Sequence, residues 1–262
     1  MNAAERIRAQ FEEALAGPSG QAPGGPEDSA DRLCQACVAL LPVDGAAISV
    51  VHDGQSRGTF GSSGPLSRTL DEFQFTFGEG PCLDAHGAGQ PVLVPDLGDA
   101  REHRWPAYSP AVLGVGVHGV FALPVAVANA SIGVLDLFRH EPGGLTRVTL
   151  TGGLMAARLA ALPLLDLVAA HADWAMTTDQ EGGPDAGWSQ LASLERVEVY
   201  QATGMLMELL DVSPADALVR LRAHAFALGR TASEVAWAVV ERRLSLDDAG
   251  EWRGSVPTRS RG

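Results

Sequence analysis

At 262 residues the chain has room for two modest domains or one large one. Its 46% hydrophobic and 19% charged residues argue against wholesale disorder, a collagen-like repeat and a membrane protein. Acids outnumber basic residues 32 to 19, giving a formal charge of −13, and every basic side chain is an arginine, so a basic clamp over the whole surface is excluded.

The acidity is uneven. Residues 1–188 hold 10 arginines against 22 acids, whereas residues 189–262 hold 9 against 10. The C-terminal part can therefore present a local arginine face to a polyanion, with salt-sensitive affinity. Three cysteines (Cys34, Cys37, Cys82) cannot all pair, and Met1-Asn-Ala-Ala-Glu-Arg lacks a secretory apolar stretch, so a reducing cytoplasm is expected. Pro106 to Leu135 carries no Asp, Glu or Arg but is interrupted by Pro110, Gly114, Gly116, Gly119, Pro124 and Asn129, which reads as two buried strands rather than a membrane span.

In chain order, Ile7, Phe11 and Leu15 mark a short amphipathic helix over 3–16, read as an appendage before a Gly/Pro-rich linker. A helix from Ser29 or Asp31 puts Leu33, Cys37 and Leu40/Leu41 on one face. Six strand-like runs follow: Ala46–His52, Gly58–Ser62, Gln74–Phe77, Pro91–Pro95, Val117–Pro124 and Ser131–Phe138. With their helices they predict one α+β sheet domain. A helix over Thr146–Leu162 meets Pro163, which either kinks it or opens the next helix, Leu164–Trp174. Leu154, Leu159, Leu162, Leu165 and Val168 call for packing on the sheet domain or on a second subunit.

Beyond a boundary at Thr177–Gly187, the positions Val199, Ala202, Leu206 and Leu209/Leu210 predict one long helix from Trp188 to Leu210. Ser213-Pro214-Ala-Asp216 opens a second helix with Ala217/Leu218, Leu221, Ala225 and Leu228 as its buried stripe, and Gly229 closes it. Thr231-Ala-Ser-Glu234 is a capping box for a third helix carrying Val235, Val239 and Val240. The expected divisions are a helix and linker at 1–28, a sheet domain with connecting helices at 29–175, a linker at 176–188, a three-helix bundle at 189–246 and a frayed tail at 247–262.

Catalytic signatures are scarce: the sequence has no phosphate loop, HExxH pair, metal-spaced His/Cys cluster or Gly-x-Ser-x-Gly elbow. Cys34-x-x-Cys37 lies inside an amphipathic helix and reads as core. Cys82, in Gly78-Glu-Gly-Pro-Cys-Leu-Asp84, sits where turn amides at a helix start could lower a thiol pKa, although burial is the favoured reading. His118 in a buried strand run reads as a hydrogen-bonded core residue or a pocket residue, and Trp105 and Tyr108 either line a pocket or pack a loop.

Residues 29–162 resemble a GAF sensory domain, through Phe77-Gly-Glu-Gly-Pro-Cys-Leu-Asp-Ala85, Gln90-Pro-Val-Leu-Val-Pro-Asp96, Trp105-Pro and Ile132-Gly-Val-Leu-Asp-Leu-Phe138. That resemblance implies an antiparallel sheet flanked by helices, with a small-molecule cavity under its covering loops. Cys82, Trp105 and His118 are the candidate ligand contacts; neither the ligand nor a cofactor is identified. Residues 190–245 resemble an ANTAR domain, through Val199-Tyr-Gln-Ala-Thr-Gly-Met-Leu-Met207, Ser213-Pro-Ala-Asp-Ala-Leu-Val-Arg-Leu-Arg222 and Gly229-Arg-Thr-Ala-Ser-Glu-Val-Ala236. Such domains bind stem-loops in nascent transcripts and prevent terminator formation. Thr203 stands where that motif often has lysine. The candidate RNA contacts are Arg196, Gln201, Thr203, Arg222 and Arg230, with Gly204 read as close-packing and Met205 and Met207 as core.

The expectation is a cytoplasmic GAF–ANTAR antitermination regulator: an α+β sensor domain, a helical connector that pairs two subunits, and an RNA-binding bundle, with no membrane partner and no enzyme activity. The alternatives are a DNA-binding regulator with a helix-turn-helix-like C-terminal domain and a GAF-fold thiol reductase.

Overall fold

The computed structural model describes residues 3–16, 26–52, 55–127, 130–177, 196–246 and 250–256. The chain divides into two compact units, Met1–Leu191 and Ala192–Gly262.

The first unit begins with helices α1 (Ala3–Ala16) and α2 (Pro26–Leu40). Strands β1 (Gly45–His52) and β2 (Gln55–Ser62) form a hairpin, followed by α3 (Pro65–Phe77), α4 (Pro81–Ala88), β3 (Val92–Val94) and α5 (Tyr108–Gly114). Strands β4 (Gly119–Val127) and β5 (Ala130–Arg139) lead into α6 (Arg147–Thr177). All strand pairs are antiparallel, in the order β2-β1-β5-β4-β3.

Both sheet faces are covered, which is why the strands read as nearly continuous apolar runs. Strand alternation sends Ala46, Ile48, Val50, Phe121, Leu123, Val125, Leu135 and Leu137 to one face, where they pack on α1, α2 and α6. It sends Ser49, Val51, Ala122, Val134, Asp136 and Phe138 to the other, under α3, α4 and α5.

Two sequence expectations change here, and a third is narrowed. The first helix is not an appendage: Phe11 is fully buried in the main core, with Ile7, Ala14 and Leu15 packed against that core. Gln74–Phe77 is not a strand but the last turn of α3. Proline opens this helix, Leu66, Leu70 and Phe73 extend its apolar stripe to Phe77, and Gly78 ends it in the left-handed conformation at φ 67°. Of the two readings of Pro163, the opening of a new helix does not hold, since α6 runs through it. Along α6, Ala156, Ala157, Ala160, Ala161 and Leu164 are buried on the sheet and Leu154 and Leu159 pack beside them, whereas Leu162 and Leu165 are exposed. The side chain of Val168 lies outside the described residues. Arg147–Asp166 is long and apolar enough to cross a membrane, but half of that window is buried inside the protein.

The second unit holds α7 (Val197–Leu210), α8 (Pro214–Ala227) and α9 (Ala232–Val240). The expected start at Trp188 lies outside the described residues, and Arg196, non-helical at φ −138°, caps α7 at its Val197 start. The caps follow the sequence: Ser213 Oγ accepts from the Asp216 amide at 3.2 Å, and Thr231 and Glu234 form the reciprocal box at 3.2 and 3.0 Å. The segment after Asp247 is not wholly a frayed tail, because β7 (Trp252–Gly254) pairs antiparallel with β6 (Leu244–Leu246).

Candidate functional site

Between α3 and the sheet lies a buried polar cluster. Ser67, Asp71 and Gln74 recur at helical spacing along α3, on a face distinct from Phe73 and Phe77, and all are buried. Asp71 accepts from Ser49 Oγ (2.7 Å) and Ser56 Oγ (3.3 Å) at Oδ1 and from Thr59 Oγ1 (2.7 Å) at Oδ2. Gln74 bridges α3 and α4: its Oε1 accepts the Cys82 amide at 2.8 Å, which turns its Nε2 toward Asp136 Oδ2 at 3.4 Å. Gly80, at φ 145°, is where this bridge needs glycine, because a Cβ there would lie 2.5 Å from Gln74 Oε1.

Asp136 is the poorly satisfied member. Its Oδ2 has the long contact to Gln74 and another of 3.5 Å to Ser49, while Oδ1 is buried with no hydrogen-bond partner among the described residues. Burial, reinforced by the nearby Asp71 carboxylate, pushes Asp136 up to about 7, against hydrogen bonds from Gln74, the Cys82 thiol and Ser49 that pull it the other way. This carboxyl can therefore carry a proton near neutrality and offer either a donor or an acceptor.

Sequence-predicted contacts meet this cluster unequally. Cys82 lies beside Asp136, but the helix start does not activate it: burial pushes the thiol well above its ordinary value, and Asp136 and Asp71 push it further. Trp105 is buried, donates from Nε1 to Asp84 Oδ2 at 3.2 Å, meets Tyr108 edge-on and carries the Arg104 guanidinium on its ring. His118 is not a core residue; it is half-exposed just before β4, with Nδ1 3.0 Å from Asp96 Oδ1. Cys34 and Cys37 are buried in the opposite core, with Cys37 raised to about 12 by burial, so the fold does not gather the three thiols.

In the second unit Arg196 is only 5% exposed and Thr203 only 8%, so neither is the surface contact expected. The Thr203 hydroxyl donates within its own helix to the Val199 carbonyl at 2.7 Å. Gln201 is exposed, Arg222 is half-buried, and Arg230 is half-buried beside Glu234 at 3.8 Å. Gly204 is not close-packed, since a Cβ there would meet nothing within 4 Å. It opens instead onto an apolar groove of about 1150 Å³ that includes Gln201, Met205, Leu209, Val240 and Leu246. Met205 and Leu209 are correspondingly exposed rather than core.

A GAF domain family model matches residues 25–162, over half of the chain. The chain belongs to the GAF domain family. An ANTAR domain model matches residues 190–240. The protein thus couples a GAF sensor domain to an ANTAR RNA-binding antitermination domain, and both are regulatory rather than catalytic families. No curated protein matches the chain. Among solved structures, it is similar to the GAF domain of an Acinetobacter phosphoenolpyruvate-protein phosphotransferase: 14% identity, TM-score 0.49, covering 67% of this chain and 99% of that one. The corresponding Coxiella burnetii domain gives 17%, 0.45, 66% and 96%. Free methionine-R-sulfoxide reductase from Neisseria meningitidis, solved with its substrate, gives 14%, 0.47, 64% and 91%.

Within the GAF domain, sequence reasoning missed Asp71, Gln74 and Asp136. Asp136 had a visible signal: it is an acid inside an apolar run, and strand alternation sets it opposite Leu135 and Leu137. Asp71 had none while α3 was unrecognised. In the ANTAR domain the exposed Arg220 and Arg242 join the surface guanidinium groups, and Arg243 is tied to Glu241.

Proposed function

We propose that this GAF–ANTAR protein acts as a cytoplasmic homodimer in which a small polar ligand, bound at Asp136, sets the affinity of the ANTAR domains for stem-loops in nascent transcripts. The observation that carries the sensing half is the buried Asp136 Oδ1, which has no hydrogen-bond partner among the described residues, since such an atom is costly unless something else satisfies it. In this reading Cys82 lines the ligand, while Trp105 and His118 fasten covering segments through Asp84 and Asp96. Asp71, Gln74, Cys82 and Tyr108 are closed off from solvent, so entry requires α4 or α5 to move outward.

Ligand binding shifts RNA affinity only through a difference in its own affinity for two conformations. The exposed Leu162 and Leu165 on α6 support pairing of that helix with its counterpart in a second subunit. Gln201, Arg222 and Arg230 are the proposed RNA contacts, because arginine supplies both charge and a stacking plane. Arg222→Gln tests the RNA half: loss of one phosphate contact weakens hairpin binding and reduces the salt slope by about 0.7–0.9. Unchanged slope and affinity remove Arg222 from the interface.

A further inference from the structure

The β6–β7 hairpin extends beyond residue 240, where the ANTAR match ends, and the function above makes no use of it. It brings Trp252 onto α8, where the indole stacks on His224 with centroids 4.2 Å apart and planes 14° from parallel. Leu210, Arg220, His224, Leu246 and Trp252 border a cleft of about 290 Å³. That volume falls just below the usual range of ligand pockets, about 300–1,000 Å³, and suits one ring system.

Three features give the cleft the chemistry of a nucleotide site. Its walls include a flat aromatic pair and an exposed guanidinium, the combination that single-stranded bases and their phosphates recruit. His224 Nε2 is buried with no hydrogen-bond partner among the described residues. Burial also pushes the imidazole below its ordinary value, which keeps the ring neutral at pH 7. Pinning the hairpin needs the stack alone; it does not need an open cleft with an arginine on its wall.

We infer that this cleft takes one unstacked base of the RNA loop, which extends the His224–Trp252 stack while Arg220 holds the adjacent phosphate. The inference rests on the RNA-binding reading. The test uses the full chain and two hairpins of identical stem, one with a loop of six adenosines and one whose loop nucleotides lack bases.

The wild-type chain prefers the adenosine loop by about 10-fold, the scale of one base–aromatic stack. His224→Ala and Trp252→Leu abolish that preference, Trp252→Phe retains it, and Arg220→Gln lowers the salt slope by about 0.7–0.9. Variants that weaken both hairpins equally and keep the preference, or that bind as wild type does, overturn the cleft while leaving RNA binding intact. A wild-type chain that binds neither hairpin overturns the RNA reading, and the cleft falls with it.

Discussion

Asp136 turns the GAF interior into a pH-dependent element. Its native value of about 7 lies well above the ordinary aspartate value of about 3.9. Below about pH 4 both folded and unfolded chains hold the proton and the group costs nothing. As pH rises toward 7 the unfolded chain releases its proton first, so native stability falls, by on the order of 4 kcal/mol in total, and levels off above 7. Asp136→Asn removes this dependence. In urea titrations across pH 4–8 the variant is expected to lack the decline seen in the wild-type chain, and parallel profiles for the two proteins would contradict the assignment. At the same scale, Thr203 shows how a motif position can mislead: it stands where lysine is common, yet its hydroxyl is committed to the Val199 carbonyl.

Elements with local punctuation were legible in the sequence, and elements defined by distant partners were not. Ser213-Pro214 and the Thr231/Glu234 box fix helix starts within four residues, and the structure has both. Gln74–Phe77 alternates only over a short window. The longer stripe of Leu66, Leu70, Phe73 and Phe77, with Phe73 and Phe77 rings 5.9 Å apart, decides for a helix. Strand β7 depends on pairing Trp252 with Leu246, which composition between two glycines does not announce. Helix α1 has a readable apolar stripe whose destination was not readable: α2 and α6 receive it. Because Phe11 is fully buried there, Phe11→Ala is expected to cost about 3–5 kcal/mol in urea unfolding. A loss below about 1 kcal/mol would return the helix to the status of an appendage.

For the whole molecule, an overall anionic chain concentrates its arginines where a polyanion is to be met: 9 of 19 lie in residues 189–262. Its GAF domain leaves apolar side chains on the solvent face of α6, where Leu162 is 63% exposed. Sedimentation is expected to find a dimer that Leu162→Glu weakens, and a stable wild-type monomer with and without RNA would end the paired-subunit mechanism. The central claim is that this chain regulates by gripping folded RNA. Its most direct test is competition binding of the full chain to a labelled hairpin RNA against unlabelled duplex DNA of the same sequence. The account predicts that the hairpin stays bound through an excess of duplex; displacement by duplex DNA at comparable concentrations, or no hairpin binding at all, would contradict it.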